Sequence, residues 1–271
     1  MASSRGTDLP TVSLVAAMYA LLVGNFFWYQ ASPLPWFVHV AIGVIGIHLS
    51  FTSWHEAVHR NVSAKRWVSD LVGVFAIFPY MAPFYVEKWF HLQHHALLNQ
   101  PDDPNRIYTD APFWQIGFRY LEILSFARQR MTSDPRTRGE KILDSLPTLA
   151  ILGLYAAAWY WGALLDLVLL WFVPLVISKV FMDWYINYLP HVGLPANRFG
   201  GTRIIDLAWF TPLVLGHNYH AIHHLWPDTP WHRYTAVFRQ KREYLNEHGV
   251  PIECRLIGFG PAAANRPTVA D

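Results

Sequence analysis

Four long apolar stretches set the terms for this chain. Residues 11–29, 34–53 and 145–165 contain no Asp, Glu, Lys or Arg, and a fourth run, 167–178, continues in helical style through Lys179 and Asp183 toward Pro190. A helix needs ~20 mainly apolar residues to cross the hydrocarbon core of a bilayer. Within lipid, only a helix or a closed barrel satisfies its own backbone. The pattern predicts an all-α integral membrane protein with four transmembrane helices, about 11–29, 34–54, 145–165 and 167–189, arranged as two hairpins with short links. Composition agrees, with 53% of the 271 residues hydrophobic and 15% charged.

Between the hairpins, residues 67–85 are apolar but broken by Asp70, Pro79 and Pro83, which suits an interfacial or shallowly re-entrant segment better than a span. A second such stretch, 207–215, is too short to cross. The basic residues Arg60, Lys65, Arg66, Lys88, Arg128, Arg130, Arg136, Arg138, Lys141, Arg239, Lys241 and Arg242 follow helix 2 or helix 4, whereas the hairpin links carry none. By the positive-inside rule this places a helical cap, 55–144 and 190–254, in the cytoplasm with both termini, including Arg5, on the same side. Residues 1–254 read as one membrane-embedded domain and 255–271 as a flexible tail. The first apolar run is longer than a signal-peptide core and no clean cleavage site follows it, so it is expected to be retained. A net charge of +2 calls for no nucleic-acid partner, and the single cysteine, Cys254, leaves no internal disulfide or thiolate metal cluster.

The 14 histidines are clustered. HEAVH gives His55 and His59, HLQHH gives His91, His94 and His95, and HNYHAIHH gives His217, His220, His223 and His224, with His191 following the last span in YLPH. Residues three or four apart on a helix share a face, so each box can aim two imidazoles at one point. HEAVH alone matches a zinc-protease motif, with Glu56 as general base. So many imidazoles exceed what one four-coordinate zinc can use, whereas two metals of higher coordination would consume them. Isolated histidines such as His39, His48, His232 and His248 read as interfacial or packing residues.

HEAVH, HLQHH and HAIHH in this order, with this hairpin topology, resemble the membrane fatty acid desaturase and hydroxylase superfamily. The flanking sequences FHLQHHALLNQPDDPN, NYLPHVG and GHNYHAIHHLWPDTPWHRY are most similar to the beta-carotene hydroxylases of cyanobacterial type. The resemblance covers roughly residues 35–250. It implies a non-haem di-iron monooxygenase with two iron ions held by His55, His59, His91, His94, His95, His191, His220, His223 and His224, using O2 to hydroxylate the ring of a carotenoid such as beta-carotene. Asn187, four residues before His191, is implied to reach iron through water, although an acidic residue is expected there in the carotene hydroxylases. His217 is a further candidate ligand.

Asp102 and Asp103 could accept ring N–H groups of the second box, the usual orienting arrangement for a ligating imidazole, or form a plain turn. Asp183 could act in the same outer layer or pair with Lys179. Glu56 reads as an outer-layer or solvated residue in this setting. There is no glycine fingerprint for a flavin or nicotinamide and no cysteine set for an iron–sulfur cluster, so an external electron donor, a ferredoxin or similar protein, is implied. The alternatives are an acyl-lipid desaturase of the same superfamily, a zinc membrane protease, and a non-enzymatic metal-binding protein.

Overall fold

A computed structural model of the chain describes residues 6–119, 122 and 135–256. Arg5, Arg128, Arg130 and most of the expected tail lie outside the described residues. Two compact units emerge, Met1–Leu92 with Ser133–Met182, and Gln93–Thr132 with Asp183–Asp271.

The first unit holds the apolar helices α1 (Leu9–Tyr29), α2 (Trp36–Val58), α3 (Arg66–Ile77), the start of α4 (Phe84–Leu97), α5 (Arg138–Tyr160) and most of α6 (Leu164–Tyr188). Of these α1, α2, α5 and α6 are long and apolar enough to cross a membrane. Their ends differ from the apolar runs because capping, not hydropathy, starts a helix. Asp8 accepts from the Thr11 backbone N–H at 3.1 Å, with Pro10 in the first turn, which starts α1 before the apolar run. Thr137 and Glu140 form a reciprocal capping box at 3.2 and 2.8 Å, so α5 begins in charged sequence well ahead of residue 145. Pro174 of α6 lies against Gly43 of α2, where any side chain would clash.

Helices α3 and α4 meet at a 99° bend across Phe78–Pro83, where Pro79 and Pro83 interrupt the apolar stretch. Its freed carbonyls are taken up by neighbouring side chains. Pro79 cannot donate to Phe75 O, and the Tyr19 hydroxyl of α1 donates there instead at 2.9 Å. Ser50 of α2 donates to Ala76 O, and the Trp171 indole of α6 to Pro79 O at 2.8 Å. Buried backbone groups freed from a helix need such substitutes. Gly73 lets the Phe84 ring seat against α3, since a Cβ would lie 2.2 Å from it. On the outer face Trp67, Leu71 and Phe75 recur at four-residue spacing and are exposed, whereas Asp70 on the inner face pairs with Lys88 at 2.5 Å.

The second unit contains the end of α4, the end of α6, α7 (His220–Leu225) and α8 (Tyr234–Glu247). Residues 207–215 form only a short turn of helix, Phe210–Leu213. Among the described residues the one departure from an all-helical chain is a two-stranded parallel bridge, β1 (Ile204–Ile205) with β2 (Ile252–Glu253). Ile204 of β1 shares a buried cluster with Tyr219, Ile222, Tyr234, Phe238 and Leu245. Buried Arg203, just before β1, donates to Leu189 O at 2.9 Å and Val192 O at 2.5 Å and so clamps the turn that carries His191.

Candidate metal centre

In the first unit, His55 lies in the last turn of α2, His59 caps that helix, and His91 lies on α4. The i,i+4 spacing puts the first two on one face. Ring centroids are 4.6 Å apart for His55 and His91 and 4.8 Å for His59 and His91, with the Nε2 atoms of the latter pair at 2.7 Å. Burial, reinforced by the nearby Lys88 charge, pushes the His59 pKa down to about 3, so the ring is neutral, the form that binds metal. Glu56 is fully buried with a carboxylate oxygen 3.7 Å from His55 Nδ1, not solvated as one reading had it.

In the second unit, His94 of α4, His191 of the turn after α6, and His220 and His224 of α7 bring ligating nitrogens within 4.8 Å of one another. Burial, followed by the neighbouring rings, holds the pKa of His191 well below the usual histidine range, and the same holds for His220 and His224. His220 and His224 bring their Nε2 atoms to 3.2 Å, close to the ~3 Å between neighbouring nitrogens that each bind one metal at about 2.1 Å. His191 donates from Nδ1 to Gly201 O at 3.3 Å, which leaves its Nε2 lone pair directed inward. That Nε2 is buried with no hydrogen-bond partner among the described residues. Such an orphan costs about 1–3 kcal/mol, and a bound cation removes the cost. The residues present therefore fit a divalent metal held by imidazoles.

Asp103 supplies the orienting contact. Its buried carboxylate receives His94 Nδ1 at 2.9 Å and 3.0 Å, and is itself fixed by the backbone N–H groups of Asn99 at 2.7 Å and Asn105 at 2.9 Å. Asp102 is exposed. His95 and His223 form a further pair with Nε2 atoms 2.8 Å apart, and His95 stacks on His224 at 4.2 Å. His217 is buried against Tyr234, its ring 5.7 Å away, and stands outside the group of four. Asn187 and His191 do not share a helical face, because α6 ends at Tyr188. The Asn187 amide donates to Asp183 at 2.8 Å and accepts from Asn105 at 3.1 Å.

Two participants carry no signal in the sequence. Arg203 acts through the backbone of the His191 turn. Tyr234, buried at the start of α8, places its hydroxyl 3.2 Å from His223 Nδ1. With Nδ1–H donating to the phenol, Nε2 of His223 is left as the ligating atom. Tyr234→Phe keeps the ring but removes this acceptor, and is expected to lower metal affinity about 10-fold. Chelator competition measures it, and unchanged affinity would show that the phenol contributes packing alone.

Apolar spans together with buried clusters of imidazoles define an integral-membrane metalloprotein. The chain belongs to the fatty acid desaturase family, whose model matches residues 31–255. Over 111 residues it is 33% identical to an sn-1 oleoyl-lipid 12-desaturase of Picosynechococcus sp., covering 38% of this chain and 30% of the relative. Over 216 residues it is 22% identical to an sn-1 acyl-lipid omega-3 desaturase (ferredoxin) of Nostoc sp., covering 76% and 52%. Over 236 residues it is 24% identical to an sn-1 oleoyl-lipid 12-desaturase of Synechocystis sp., covering 73% and 64%. The chain thus spans less than two thirds of the length of these curated relatives. All three are named for acyl lipids, and the carotene-hydroxylase resemblance has no counterpart among them.

Proposed function

We propose that this chain is a di-iron, O2-dependent membrane oxidoreductase that desaturates the acyl chain of a lipid. The observation that carries the reading is the orphaned, buried Nε2 of His191 among neutral histidines, in a chain of the fatty acid desaturase family. Iron, when bound, supplies reductive activation of O2 to an oxidant able to take hydrogen from an unactivated C–H bond. His55, His59 and His91 would hold one ion, and His94, His191, His220 and His224 the other, with His95 and His223 as remaining donors. Neutral rings add no negative charge to the site. Asp103 and Tyr234 hold ring N–H groups so that lone pairs face the metals, and buried apolar neighbours such as Phe51 and Ile222 keep water away. A ferredoxin-type donor is the proposed electron source, supported by the name of the Nostoc relative and by exposed Arg239 and Lys241 on α8.

Ring hydroxylation of a carotenoid is a second reading, favoured by the residues flanking the histidine boxes. Both are tested by supplying iron-loaded protein in bilayers with reduced ferredoxin, O2, oleoyl lipid and beta-carotene. New double bonds in the acyl fraction are expected. Oxygenated pigment with unchanged acyl chains would transfer the assignment to the carotenoid reading. Glu56→Gln is expected to keep the metals and lose at most ~10–100-fold in turnover. A zinc hydrolase relying on Glu56 as base would lose ~10²–10⁴-fold while turning over without O2.

The histidine clusters and both termini are proposed to face the cytoplasm. In a Cys254→Ser background, Lys141→Cys should label from the cytoplasmic side and Ala31→Cys, in the first hairpin link, from the opposite side. Labelling of both from one side would refute this topology.

A further inference from the structure

A cavity of about 330 Å³ lies within the first unit, bounded by α1, the bend at Phe78–Pro83, α5 and the first turns of α6. Val23 and Phe27 form one wall, Leu154 the opposite one, and Phe78, Tyr19 and Trp171 the rest. The two polar tips in this wall are both committed to backbone, Tyr19 to Phe75 O and Trp171 to Pro79 O, so the cavity presents hydrocarbon.

We propose that the cavity binds one acyl chain of a bilayer phospholipid as a resident lipid. Its size falls in the ~300–1,000 Å³ range of small-ligand pockets. A helix, about 10 Å across with its side chains, is too thick to enter. The walls belong to helices apolar enough to cross the membrane, so the surrounding medium is lipid, and a chain reaches the cavity sideways without leaving the bilayer. No lining residue comes from α2 or α4, which carry His55 to His95, and the occupant proposed here is a resident lipid in addition to the chain being oxidised. The lipid covers two of the three side-chain hydrogen bonds that hold the bend, those of Tyr19 and Trp171, whichever lipid is the substrate. Hydrogen bonds shielded from water are the stronger for it.

The test is native mass spectrometry of protein taken from palmitoyl-oleoyl phosphatidylcholine nanodiscs into mild detergent. Wild type is expected to retain one phosphatidylcholine. Val23→Trp and Leu154→Trp fill the cavity from opposite walls at partly lipid-exposed positions and should each lose it. Leu149→Trp, on the exposed outer face of α5, should keep it. Circular dichroism establishes that each variant is folded. Absence of lipid from wild type, or equal retention by both cavity variants, overturns the proposal.

Discussion

His94→Ala is expected to cut bound iron from about two ions per chain to about one and to bring O2-dependent turnover to background. His94 is one of four imidazoles whose ligating nitrogens lie within 4.8 Å, and it is 1% exposed. An alanine supplies no donor at this position. The variant leaves Asp103 with two backbone N–H donors, from Asn99 and Asn105, so the loop keeps its hydrogen bonds and the protein is expected to fold. His232→Ala and His248→Ala, both at exposed positions, should retain both ions and full activity. Iron analysis beside turnover decides the matter. A folded His94→Ala protein with wild-type iron and activity would remove His94 from the ligand set.

Asp103→Asn is expected to weaken iron binding ~10–100-fold without unfolding the chain. The carboxylate accepts the His94 ring N–H, fixing its tautomer and making the opposite nitrogen a stronger donor. Asparagine keeps one acceptor oxygen but not the charge, so loss should appear as lower affinity, with turnover recovered at excess iron. Asp102→Asn is the matched control, because that side chain is exposed. Equal iron affinity in the two variants would reduce Asp103 to a turn-former.

The four spans were legible in the sequence because hydrocarbon selects on composition alone, and a run of ~20 apolar residues has few other uses. Their true ends were less so. The uncharged-run criterion discards charged first turns, although Thr137 and Glu140 start a helix as firmly as any apolar residue. The break at Pro79 was readable because proline removes a specific donor. What was not readable is that Tyr19, Ser50 and Trp171, from three other helices, replace the lost bonds.

For the metal centre the division is equally physical. Spacing on a helix fixes direction, so HEAVH and HAIHH announce paired imidazoles without any tertiary information. Outside helices spacing carries no such direction. Asp102 and Asp103 are indistinguishable in the sequence, and only the turn, tied to Asn99 and Asn105, aims Asp103 inward at His94. Asn187 seemed to share a face with His191 until the end of the helix at Tyr188 broke the periodicity, and its amide is engaged by Asp183 and Asn105. Tyr234 and Arg203 come from distant sequence with no motif of their own. The sequence alone determined membrane residence and the histidine boxes, since both follow from local composition and period. The tertiary structure alone decided which side chains hold those histidines in place, because long-range packing, not spacing, sets the direction of a residue in a turn.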